Sequence, residues 1–238
     1  MKCLNLTFST PEENLACDEA LIESCETGIE GGFNEGILRL WSPTTYFVVM
    51  GYGNHFEREV NVNWCREHSI PVLRRISGGG AVLQGPGCLN FSLILSAQIT
   101  IGKLNAFVLN KHRSALETIF GSNVTVEGIS DIAYCGKKVS GNAQRWKKNF
   151  VLFHGTFLLN FDLSLIEKVL HHPSKEPKYR AGRSHLDFVI NLNAEREAIE
   201  CLLRDAWGAK DDFAAVPHEK INELVNNRYL RPEWTYKF

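Results

Sequence analysis

Three stretches of this chain carry residues that could do chemistry together. The first is residues 72–95, where Arg74 and Arg75 precede Ser77-Gly78-Gly79-Gly80-Ala81. Consecutive glycines leave backbone N–H groups open to close approach by an anion. An arginine fork suits carboxylate or phosphate. The run has no Gly-Lys-Ser/Thr ending and no G-x-G-x-x-G spacing, so it is neither a Walker loop nor a dinucleotide fingerprint. It reads as an anion cradle between two buried strands, 70–73 and 89–95, or as a glycine hairpin with two solvated arginines.

The second stretch is residues 130–144, a hairpin turning at Cys135-Gly136. Strict alternation puts Lys138, Ser140 and Asn142 on one strand face. A lysine amid small residues on a half-buried face points to charge stabilisation; the plain alternative is an edge strand guarded by lysines. The third stretch, residues 173–183, is Pro/Gly-bounded and carries Lys175, Lys178, Arg180 and Arg183. That composition suits a mobile cover over an anionic ligand, or a solvated linker. Together the three describe a site where two anions meet, as joining a carboxylate to a nucleoside triphosphate requires. N–H donors, a lysine and Mg²⁺ would offset the repulsion. Asp131 would hold the metal, since Mg²⁺ takes few carboxylates plus phosphate oxygens and water.

The elements that must position these residues follow from pattern. Residues 4–8 read as a strand. A helix then starts at Thr10-Pro11 with Glu13 three residues past the cap; Asn14, Asp18 and Glu19 are expected on its outer face. Strands are expected at 37–41 and 46–51, joined by Ser42-Pro43-Thr44, and Trp41 either packs in the core or lines an apolar pocket. A short helix is expected at 60–67 and a longer one at 103–121. The strand at 151–161 carries His154-Gly155-Thr156, and a lone histidine there is more often structural than catalytic. Helices are expected at 164–171, 185–192, 194–206 and 217–226, with Trp234 and Tyr236 docking the tail.

The 238 residues, 44% apolar and 22% charged, suit one soluble domain. A net charge of −1 argues against a large nucleic-acid surface. No apolar run is long enough to cross a bilayer. Seven scattered cysteines without a C-x-x-C fit reduced thiols and a cytoplasmic location.

The sequence resembles the biotin/lipoate A/B protein ligase family, and within it the lipoate–protein ligase A branch. The matching blocks are residues 14–21 (NLACDEAL), 74–82 (RRISGGGAV), Asn90-Phe91-Ser92, 136–144 (GKKVSGNAQ) and His154-Gly155-Thr156. The resemblance implies an α+β catalytic domain of the class II synthetase and biotin ligase kind, with a central, largely antiparallel sheet flanked by helices. It implies activation of lipoate or octanoate by ATP, with Mg²⁺, to acyl-AMP, then transfer to a lysine of a lipoyl carrier. Such carriers would be a 2-oxoacid dehydrogenase E2 or a glycine-cleavage H-like protein. Lys138 would contact the acyl carbonyl and phosphate. Trp41, Arg75, Ser77, Gly78, Gly79, Gly80, Ala81, Asn90, Ser140, Gly141 and His154 would line the acyl site. Asp131, Gly155, Thr156, Arg180 and Arg183 would attend the nucleotide, Asp131 also the metal. No nucleic-acid or membrane partner is implied.

The family's C-terminal accessory domain has no counterpart in this sequence, which leaves a separate accessory subunit or a single-domain variant, residues 1–238. Octanoyltransferases of the same scaffold use a cysteine instead of ATP. Where the related cysteine-bearing branch places it, this chain has Glu127-Gly128-Ile129, and Cys135 sits in the turn. The ligase is therefore expected over the transferase, and over a non-catalytic binding module of the same fold.

Overall fold

The structure is a computed structural model describing residues 1–28, 36–173 and 175–238. Its larger sheet has the order β11-β1-β2-β6-β10-β9-β8-β7. The strands are β1 (Lys2–Asn5), β2 (Ile37–Trp41), β6 (Cys88–Ser96), β7 (Val124–Glu127), β8 (Asp131–Tyr134), β9 (Lys137–Trp146), β10 (Phe150–Leu158) and β11 (Asp211–Asp212). Only β11–β1 and β1–β2 pair in parallel; the remaining neighbours are antiparallel. A smaller sheet, β4-β3-β5, is built from β3 (Phe47–Met50), β4 (Val72–Arg74) and β5 (Val82–Gln84). The α+β reading with a largely antiparallel central sheet therefore holds.

Helices cover both faces. α1 (Pro11–Thr27) begins with the expected capping box: Thr10 accepts from the Glu13 N–H, and Glu13 caps the Thr10 N–H. The helix expected over 60–67 is α3 (Val62–Glu67), and an unexpected short helix, α2 (Phe56–Glu59), precedes it. α4 (Ile101–Phe120) and α7 (Arg196–Trp207) pack on one face of the large sheet, where Phe91, Phe153 and Phe157 meet Leu104, Val108, Leu116 and Leu203. The opposite face meets α1 and the smaller sheet through Leu15, Leu21, Trp41, Phe47, Leu73, Ile76, Ile94 and Leu152. Shorter helices α5 (Ser164–Val169), α6 (His185–Phe188), α8 (His218–Leu224) and α9 (Pro232–Thr235) complete the chain. No described helix is long and apolar enough to cross a membrane.

Three expectations are corrected here. The strands at 37–41 and 46–51 belong to different sheets, so Ser42-Pro43-Thr44 is a crossover. The glycine-rich stretch is not a hairpin either: β4 and β5 lie on opposite sides of β3, and residues 75–81 pass over its end. Asn14, Asp18 and Glu19 are 3%, 4% and 1% exposed, so the polar side of α1 is an inner side. Buried polar groups need partners, and these have them: Tyr229 donates to Glu19 Oε2 at 2.8 Å and Arg228 pairs with Glu19 Oε1. Asn14 and Asp18 meet Arg39, buried on β2.

Candidate active site

Strand register decides which side chains can meet. Across β2, β6 and β10, Arg39 pairs with Ser92 and Ser92 with His154; Trp41 pairs with Asn90 and Asn90 with Thr156. Paired residues share a face, so these six lie on the side toward α1 and the smaller sheet. On β9, Gly141 pairs with Thr156 and Asp131, and Ala143 with His154. A bulge comes next. Ile132 pairs with Ser140 but Ala133 pairs with Lys138, leaving Val139 as an extra residue.

That bulge corrects the alternation expected from sequence. Ser140 pairs with Phe157 and Asn142 with Gly155, which places both on the opposite face. Lys138 instead shares its face with Gly141 and Asp131. Its Nζ lies 2.8 Å from Asp131 Oδ1. A Cβ at Gly141 would stand 2.7 Å from both Cε and Nζ of Lys138, so the lysine lies where any other residue would put a side chain. Asp131 Oδ2 accepts a 2.8 Å hydrogen bond from the Tyr179 hydroxyl.

A buried relay runs from α1 to the glycine loop. Ser77 Oγ is 2.6 Å from His154 Nε2, and His154 Nδ1 is 3.2 Å from Asp18 Oδ2. Asp18 is held in turn by Arg39 at 2.6 Å and Ser92 at 2.7 Å. Burial alone would push the Asp18 carboxyl up; Arg39, with the His154 and Ser92 hydrogen bonds, outweighs it and holds the group below its ordinary value. Beside the relay, Asn90, Gln84 and Thr156 close a ring of hydrogen bonds of 2.5–3.0 Å.

Both arginines of the glycine-rich stretch turn inward, onto the protein's own acceptors. Arg74 is fully buried and donates to the carbonyls of Gly51, Tyr52, Asn54, Trp234 and Thr235. Arg75 donates to Val49, Gly78 and Gly80 carbonyls and to Ser77 Oγ. Burial pushes its pKa down to about 10, so it stays charged at neutral pH. The charge is spent in drawing the loop's carbonyls inward. The N–H groups of Gly78, Gly79 and Gly80 then donate to nothing among the described residues, while the three glycines are exposed. A turn with its carbonyls tied back and its N–H groups free has the geometry that could receive an anion.

Other expected residues fall around this core. Ala81 is partly buried against the third apolar cluster. Trp41 is buried in the α1 cluster with the Arg39 guanidinium 5.1 Å from its ring, and its indole N–H has no partner among the described residues. Gly155 faces the Asn142 amide. Arg180 and Arg183 bond within their own loop: each donates Nε to the other's carbonyl, and Arg183 also reaches the Gly136 and Tyr179 carbonyls. Asp18, Arg39, Ser92, Gln84 and Tyr179 were not expected here. Asn14 and Asp18 sit four residues apart on one helix side, and Arg39 interrupts an apolar strand; those were the available signals. Among the described residues no cluster of three His, Cys, Asp or Glu could hold a metal by itself. Asp131 has one neighbouring carboxylate, Glu127, its partner across β7 and β8, and so small a set suits a Mg²⁺ ion arriving on phosphates.

Comparison with known proteins places this geometry. The family model described as the lipoyl protein ligase A/B catalytic domain matches residues 10–201. A provisionally named lipoate–protein ligase A of Aeropyrum pernix is 36% identical over 169 residues, covering 70% of this chain and 61% of that protein. Lipoate–protein ligase 1 of Staphylococcus aureus is 31% identical over 98% of this chain and 72% of its own length. An octanoyltransferase of Brevibacillus brevis is 26% identical, over 96% and 95%. Among solved structures, a bipartite lipoate–protein ligase of Thermoplasma acidophilum, studied with its E2 lipoyl domain, superposes with a TM-score of 0.84 at 25% identity, over 99% of this chain and 95% of that one. A lipoate–protein ligase A bound with ATP gives 0.81 at 25% identity, over 99% and 98%.

Proposed function

The chain belongs to the lipoyl protein ligase A/B catalytic-domain family, and on that premise we propose that it is an ATP-dependent lipoate–protein ligase. The observation that carries this reading is that Lys138, beside Asp131 and Gly141, and the open N–H turn, tied through Ser77 to His154, lie on the same side of the large sheet, with no thiol placed to take their part. Lipoate, or octanoate, lays its apolar tail against the α1 cluster near Trp41, each buried methylene contributing about 0.8 kcal/mol. Its carboxylate comes to the cradle at Ser77–Gly80. An oxygen of that carboxylate attacks the α-phosphorus of ATP, and pyrophosphate leaves. Lys138 neutralises charge shared by phosphate and acyl oxygen and polarises the carbonyl. A lysine amine of a lipoyl domain then attacks that carbon, forming the amide and releasing AMP. Asp131 is the residue that would hold Mg²⁺, which supplies charge neutralisation at the phosphates. An accessory subunit, as in the bipartite Thermoplasma ligase, is a further partner this reading allows.

One observation favours the transferase: the near full-length likeness to an octanoyltransferase. The cysteine positions oppose it. Gly128 lies against Pro177 and Tyr179, beside the site, and offers no nucleophile. Cys17, Cys25 and Cys88 are buried, with thiol pKa values pushed up to about 11, 12 and 12 by burial. Cys135 is exposed in the hairpin turn and Cys201 on α7. The test is mass spectrometry of a lipoyl domain incubated with the protein. A lipoyl mass increment that needs both ATP and lipoate supports the ligase; an octanoyl increment from an octanoyl thioester without ATP overturns it.

A further inference from the structure

Asp131 is shared between two partners. Lys138 takes Oδ1 and Tyr179 takes Oδ2, both at 2.8 Å, so both carboxylate oxygens are engaged. Three contacts seat the tyrosine. Its ring centroid is 5.0 Å from that of Phe188. Arg183 donates to the Tyr179 carbonyl at 2.8 Å and to the Gly136 carbonyl at 3.2 Å, tying the loop to the β8–β9 turn. Gly128, at φ +58°, lies beneath it: a Cβ there would meet Pro177 Cβ at 3.2 Å and Tyr179 Cε1 at 3.5 Å.

A divalent cation on this carboxylate would compete with both of its present partners for the oxygens' charge and space, and a neutral phenol competes less well than an ammonium. The two partners differ in how they are fixed. Lys138 stands near the start of β9, paired with Ala133 of β8 and bonded through its carbonyl to the Ile190 N–H. Tyr179 rides on a three-residue 3₁₀ turn, Lys178–Arg180, between two connecting segments. The tyrosine is the partner that leaves at lower cost. We propose that Tyr179 is a latch on the nucleotide side of the site: its hydroxyl holds Asp131 against Lys138 and yields that oxygen when a magnesium-bound nucleoside triphosphate arrives. Opening of the Lys178–Arg183 turn is thereby coupled to nucleotide binding. This inference deepens the ligase reading and rests on it.

The experiment compares wild type with Tyr179→Phe, which keeps the ring against Phe188 and removes only the donor. Magnesium ATP is titrated by calorimetry, and melting is followed with and without saturating magnesium ATP. The latch predicts that the variant binds magnesium ATP about tenfold tighter, since it has no charged-group hydrogen bond to break. It also predicts that the ligand-free variant melts a few degrees below wild type, and that magnesium ATP erases the gap. A purely structural tyrosine would leave the gap in place. Wild-type binding with equal or weaker affinity in the variant overturns the latch alone. Wild type that binds no magnesium ATP overturns the ligase reading and the latch with it.

Discussion

Lys138 owes its reach to a residue without a side chain. Its ammonium lies where a Gly141 Cβ would stand, 2.7 Å away, and it meets Asp131 with 27% of its own side chain still exposed. Partial exposure keeps the amine usable and makes the pair a modest contributor to stability. Lys138→Ala should therefore cut acyl-adenylate formation by at least about 10²-fold and leave the melting temperature within a few degrees. Stopped-flow pyrophosphate release and a thermal melt on the same sample check both parts. Gly141→Ala displaces the flexible lysine without deleting it, so a smaller rate loss is expected, with lipoate affinity preserved. Equal losses in the two variants would show that Gly141 acts through the backbone instead. The lysine itself was legible in the sequence, through its block of neighbours; the glycine's service to it was not, because that depends on which face Lys138 occupies.

At the scale of elements, the bulge at Val139 sets that face. One inserted residue flips every assignment made from alternation beyond it, which is why Ser140 and Asn142 were expected beside Lys138 and lie behind the sheet. Nothing in residues 137–142 announces a bulge. Helix α1 was legible in its cap and unreadable in its polarity, because Asn14 and Asp18 find their partner 21 to 25 residues away, on β2. Asp18→Asn leaves the buried Arg39 without a counter-charge and should cost about 3–5 kcal/mol. The depressed Asp18 pKa stabilises the fold above its unfolded value of about 3.9, and that contribution is lost as pH falls through the folded one. Urea unfolding from pH 7 to 3 should thus show an acid loss in wild type, below about pH 4, that is smaller in the variant. A second buried group acts over a higher window. His112 accepts from the Trp207 indole at 2.8 Å and its pKa is lowered to about 3 by burial. Below about pH 6.5 the unfolded chain binds a proton there and the folded one does not, so stability falls from pH 6.5 toward 3. His112→Gln keeps an acceptor and does not titrate, and should flatten the profile over that interval.

Over the whole molecule, one face of the large sheet is packed for stability and the other is built for chemistry. Phe91, Phe153 and Phe157 fill the first against α4 and α7; on the second, Ser92 alternates with Phe91 along β6, and His154 and Thr156 with Phe153 and Phe157 along β10. That alternation was readable along single strands. Which strands adjoin was not, so the split of β2 and β3 between two sheets escaped. The tail is joined to the site by Arg74, whose five carbonyl acceptors span the Gly51–Asn54 loop and Trp234–Thr235. Lysine has no planar fork to reproduce that set. Arg74→Lys should lower the melting temperature by several degrees and weaken lipoate binding, because the same loop donates the Tyr52 N–H to the Ser77 carbonyl. Circular dichroism melts and lipoate calorimetry would register each effect.

The central claim is that this face joins a carboxylate to a nucleotide, and lipoate-dependent exchange of labelled pyrophosphate into ATP tests it most directly. The account predicts exchange that requires lipoate or octanoate, survives Cys135→Ser and disappears with Lys138→Ala. Exchange absent in the wild type, or undiminished without Lys138, would contradict it.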